Sequence, residues 1–184
     1  MFGFGKKKIL DEHLLIKNII NAVIEVWTDD TTLGQSGLSK SSLFSEAILS
    51  SEAIRHKIVV EKLRLVFGFA LISLTKSNLV LDMKENLFHD FEAFLKNEDD
   101  HKITNLSLNG LQDKAEVYAK VFLEKSPKEA GEYTEALFAR RVFGLKLEDL
   151  DTNEKYLLYK QLSNLQRKTI MQISTAMRSS FVRL

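Results

Sequence analysis

Apolar residues recur at helical spacing along most of the chain. From Asp11 to Trp27, the residues Ile16, Ile20, Val23 and Trp27 form one stripe, widened by Leu15, Ile19 and Val26. That three-to-four spacing predicts an amphipathic helix. A second helical stretch runs from about Leu43 to Thr75 and ends in the apolar run LVFGFALISL, Leu65 to Leu74. This run is apolar all round, which places it at the centre of a bundle. Serines at 50 and 51, or Gly68, are the positions where it would bend. A third helix is expected from Asp82 to about Asn97, with Asp82 and Glu85 as a capping box, and a fourth from about Asn109 to Lys125. Between them, Ile103 to Leu108 alternates weakly and reads as a short extended piece.

The last two helices have the clearest boundaries. Ser126, Pro127 and Glu129 give an N-cap, a first-turn proline and a capping box. Arg140 and Arg141 suit the negative end of that helix, and Gly144 ends it. Asp151 and Glu154 open a sixth helix of about 30 residues that runs to near the last residue. The expected fold is all-α: an antiparallel bundle of about six helices, with 1–184 as a single domain and 1–10 as a flexible tip.

Composition supports a packed domain. The chain has 184 residues, 45% of them hydrophobic and 28% charged, which is a globular balance. It contains no cysteine, so disulfides, thiol nucleophiles and thiolate metal sites are excluded. That suits a reducing compartment, and the expected location is the cytoplasm. The run Leu65 to Leu74 is ten residues long, whereas a membrane span needs about 20. The formal net charge of +1 gives no global pull toward nucleic acid.

Several stretches imitate chemical motifs. Gly34 to Ser41, GQSGLSKS, has near-P-loop spacing, but Ser39 stands where glycine must precede the lysine, and no strand leads in. It reads as a solvated loop within the polar segment Thr28 to Ser42. The same segment offers Ser36 between glycines, again without the strand that a nucleophile elbow needs. Glu52 with His56 and Glu85 with His89 pair at a spacing of four, whereas di-iron bundles use three. Ordinary helix-surface contacts explain them. Phe88, Phe91 and Phe94 carry no interleaved cations and read as core. Neither a cofactor nor a metal is expected.

Charge is segregated. Asp82 to Asp100 carries seven acids and two lysines; Lys155 to Leu184 carries six basic residues and no acid. Ile170, Ile173, Met177, Phe181 and Leu184 make one apolar stripe on the last helix, with Arg167, Lys168 and Arg178 on another face. The expectation is a non-catalytic protein acting through protein contacts, as a homodimer or with a partner. Arg167, Arg178, Met177, Phe181 and Leu184 are the candidate contact residues, and the acidic stretch is their counterpart. Two alternatives stand beside it. One is a small-molecule-binding or metal-assisted enzyme with a pocket in the bundle. The other is nucleic-acid or membrane-surface binding through the basic last helix, with the N-terminal Phe2, Phe4 and Lys6 to Lys8 as a further point of membrane contact.

Overall fold

The computed structural model describes residues 8–29, 33, 51–76, 82–97 and 110–183. It is an all-α bundle. Its helices are α1 (Glu12–Thr28), α2 (Glu52–Lys76), α3 (Asp82–Asn97), α4 (Leu111–Glu124), α5 (Pro127–Phe143) and α6 (Thr152–Ser179), with a 3₁₀ turn at Leu147–Asp149. The loop motif Gly34 to Ser41, the segment Ile103 to Leu108, the tip 1–7, the side chain of Glu85 and Leu184 lie outside the described residues.

The boundaries follow from local chemistry. The Asp11 side chain accepts from the Leu14 amide at 3.0 Å and caps α1. Ser126 and Glu129 form the reciprocal capping box of α5, with Pro127 in its first turn. Gly144 ends that helix at φ 73°, a left-handed position that glycine adopts without a Cβ penalty. Asp151 and Glu154 cap α6 in the same reciprocal way.

α2 is the central element and packs against α1, α4, α5 and α6. Leu65, Val66, Phe67 and Ala70 are fully buried on it. It runs unbroken through Gly68, one of the two places named for a bend. The glycine instead lets α4 approach closely: a Cβ there would stand 2.8 Å from Cβ of Tyr118 and 3.0 Å from the Ala115 carbonyl oxygen. On the other side, Phe67 meets Phe88 and Phe91 of α3 at centroid distances of 4.8 and 4.7 Å, so these phenylalanines are core.

α1 has no basic residue in its own last turn. Two other helices supply the cations that its negative end favours. The buried Lys62 of α2 donates to the Asp29 carbonyl, and Lys168 of α6 pairs with the Asp29 carboxylate. Just beyond, Leu33 is fully buried at φ 51°, and its amide donates to Gln161 Oε1 of α6 at 3.1 Å. One residue of the polar connection therefore belongs to the core.

The chain's two outer segments meet. Lys8–Leu10 (β1) pairs antiparallel with Phe181–Arg183 (β2), with Leu10 opposite Phe181. The Asp11 amide donates to the Ser180 carbonyl at 3.0 Å, and Asn18 donates to the buried Ser180 hydroxyl, also at 3.0 Å. Residues 8–10, read from sequence as part of a flexible tip, form a strand. Periodicity could not show this, because three residues are too few to carry a period.

Candidate functional site

The site with the most unusual chemistry is built around Glu61, on the central helix and 1% exposed. A buried carboxylate is expensive unless its lone pairs are satisfied. Here they are. Arg64, one turn along α2, donates from its Nη1 to Oε2 at 2.7 Å. Arg141, from the last turn of α5, donates from its Nη1 to Oε1 at 2.7 Å. The Tyr118 hydroxyl of α4 donates to the same Oε1. One carboxylate thus ties three helices together.

Electrostatics agree with the geometry. Burial, and then the neighbouring Glu61 carboxylate, push the Tyr118 phenol well above its ordinary value. For Arg141, burial alone would favour losing the proton, but Glu61 and Tyr118 together hold the guanidinium charged more firmly than usual. Its Cζ also lies 5.4 Å from the centre of the Tyr118 ring, within cation–π range.

The network has an open side. A cleft of about 200 Å³ lies against it, lined by His56, Lys57, Val60, Glu61, Arg64 and Arg141. His56 and Lys57 are exposed at its rim. Among the described residues, the buried Nε of Arg64 has no hydrogen-bond partner.

The residues singled out from sequence sit elsewhere, on α6 and just beyond it. Arg167 and Arg178 are exposed; Arg167 donates to Asn164 at 3.3 Å and Arg178 to the Ser174 carbonyl at 3.2 Å. The apolar stripe divides. Ile173 is fully buried and Met177 packs on the core, whereas Ile170 is partly open and Phe181 is 46% exposed on β2. Sequence reading passed over Tyr156, Tyr159 and Met171, the most exposed large apolar side chains of α6 at 65, 53 and 57%. At about 100° per residue, they share one arc of about 120° with Lys160, Arg167, Ile170 and Arg178. Plotting that angle would have found them.

Sequence reading also assigned Arg141 to the helix dipole alone and did not single out Glu61 or Tyr118. The available sign was Glu61 and Lys62 standing together among apolar residues of the central helix. Of the two carboxylate–histidine pairs, Glu52 and His56 are both exposed, and His89 faces Asp90 at 3.3 Å. Among the described residues, no group of three or more such side chains is placed to hold a metal ion. No described helix is long and apolar enough to cross a membrane. Comparison with protein-family models, curated proteins and solved structures found no match to this chain.

Proposed function

We propose that the protein works through protein contacts, that its contact surface is the outer face of α6, and that this face takes an acidic amphipathic segment. The observation that carries this is the single arc on which Tyr156, Tyr159, Ile170 and Met171 stand exposed among Lys160, Arg167 and Arg178. Scattered exposed apolar residues are normal on any protein surface. These share one face, and their types are those enriched where proteins meet: tyrosine, methionine and arginine. From Lys155 to Leu184 the sequence has no acid, so the face offers only positive charge.

Charge selects the occupant. Two α6 faces packed directly on each other would bring like charges together. The acidic stretch from Asp82 to Asp100 of a second copy matches the face in sign, and a symmetric pair would use that match twice. Affinity would come from the tyrosines and Met171, because exposed ion pairs contribute only about 0–1 kcal/mol each.

Sedimentation velocity tests this. The parent should self-associate at tens of micromolar and less so at high salt. The variant Tyr156→Ser/Met171→Ser should remain helical and run as a monomer. A parent that stays monomeric removes the second copy as occupant. An equally associated variant removes the α6 face.

A further inference from the structure

We infer that the cleft between α2 and α5 is a binding site for a small doubly charged oxyanion, inorganic phosphate or a compact phosphomonoester. The site is built from residues other than those of the α6 face.

Glu61, Tyr118, Arg64 and Arg141 could serve only to pin three helices. A pin accounts for the bonds to Glu61, but it leaves three observations over. First, the space beside the network is open, about 200 Å³, and is bordered by His56, Lys57, Arg64 and Arg141. Second, among the described residues that line the cleft, Lys57, Arg64 and Arg141 stand with the one carboxylate of Glu61, an excess of two positive charges. Third, each arginine reaches Glu61 through Nη1 alone, and the buried Arg64 Nε has no partner among the described residues. A buried donor left unsatisfied is unfavourable, so the bond to Glu61 alone does not account for this guanidinium.

The occupant follows from charge, shape and size. A phosphomonoester carries about −1.5 to −2 at neutral pH, which matches the excess. Guanidinium forks suit its tetrahedral oxygens, and the rim lysine acts as a point charge. The volume equals roughly six or seven waters at ~30 Å³ each, room for a phosphate and a short substituent. It falls below the ~300–1,000 Å³ of pockets that enclose drug-sized ligands, so a small anion is enough to fill it. Glu61 then has a second task. By bonding both arginines it fixes their planes, so the donors are oriented before the anion arrives.

The test is titration calorimetry on the full chain, with inorganic phosphate, methyl phosphate and acetate at matched ionic strength. Arginine Nε–H resonances are followed by NMR in parallel. Phosphate and methyl phosphate should bind saturably at one site, acetate at least tenfold more weakly, and the Arg64 Nε–H resonance should move with occupancy. Lys57→Glu, a change at an exposed rim position, should leave helix content intact and weaken phosphate binding by about tenfold or more. Lys128→Glu, an exposed lysine on α5 that does not line the cleft, should leave it unchanged. The inference is overturned if no saturable phosphate binding occurs, or if acetate binds as well. Equal effects of Lys57→Glu and Lys128→Glu would overturn it too, since that is the behaviour of diffuse surface charge.

Discussion

Gly68 and Tyr118 set the spacing of α2 and α4, since any side chain at position 68 would press into the Tyr118 Cβ and the Ala115 carbonyl. Gly68→Ala therefore opposes two effects. Helix propensity improves by about 1 kcal/mol. Overpacking against backbone costs about 1–3 kcal/mol, and backbone yields less than a flexible side chain. The expected net result is a loss of up to about 2 kcal/mol in urea denaturation, with Trp27 fluorescence as the probe. That tryptophan reports on the bundle because its indole donates to the Val59 carbonyl of α2 at 3.0 Å. A stabilised Gly68→Ala would show that the two helices separate freely.

Glu61→Gln should destabilise the protein by about 3 kcal/mol or more, because it leaves two arginine heads facing an uncharged amide. Tyr118→Phe should cost about 1.5–3 kcal/mol, the usual worth of a hydrogen bond to a charged group. The double variant should lose less than the sum, since both changes break one bond. Additive losses would mean that the two groups act separately.

Alkaline pH gives an independent reading of the same contact. The folded Tyr118 phenol lies well above the ordinary value of 10.0, chiefly through burial. Its contribution to stability is complete below that ordinary value and is lost as pH rises through the higher folded one. Stability of the parent should therefore fall above pH 10, and Tyr118→Phe should be less sensitive there. Identical alkaline profiles would contradict the assignment.

Glu135 on α5 predicts a second pH dependence, at lower pH. Burial, with Glu132 adding like charge, raises its carboxyl from 4.5 to about 7. The folded state then holds a proton that the unfolded chain releases, so stability should decline as pH rises from about 4.5 to 7. The effect is at most about 3.5 kcal/mol, by the conversion of about 1.4 kcal/mol per pH unit. Glu135→Gln should flatten this part of the profile. A variant with the parent's slope would place its source elsewhere.

The start of α5 offers a local test. Ser126 accepts from the Glu129 amide at 3.4 Å, and its own amide and hydroxyl donate to the Glu129 carboxylate at 3.1 and 2.8 Å. Ser126→Ala should cost about 1 kcal/mol. No change would mean that water replaces the cap.

The contrast between that cap and Glu61 explains what was legible in the sequence. Ser126 and Glu129 are three residues apart, and their partnership is written in the spacing; the same holds for Asp151 with Glu154. Helix number, order and most boundaries follow from such local rules and from the apolar period. Glu61 and Arg141 are 80 residues apart. Their meeting depends on how α2 and α5 cross, which no local pattern encodes. Arg141 had a sufficient local explanation as a dipole partner, and that explanation concealed its other role. The backbone pairing of Phe181 with Leu10 is likewise a meeting of segments distant in the sequence, which no local pattern encodes.

The pairing of α1 with α6 has a consequence for the chain during its synthesis. Leu15, Ile19, Val23 and Val26 of α1 are fully buried, and α6 is one of the helices that packs against α1. The bond from Asn18 to Ser180 spans 162 positions. At translation rates of roughly 5–20 residues per second, α6 follows α1 from the ribosome by about 8–30 s. Through that interval α1 can meet α2 and α3 but not its last partner, so an apolar strip stays open to other nascent chains and to chaperones. Closure is the final step even in a fold made of helices, and its long sequence separation should make this bundle fold more slowly than one whose neighbours in space are neighbours in sequence.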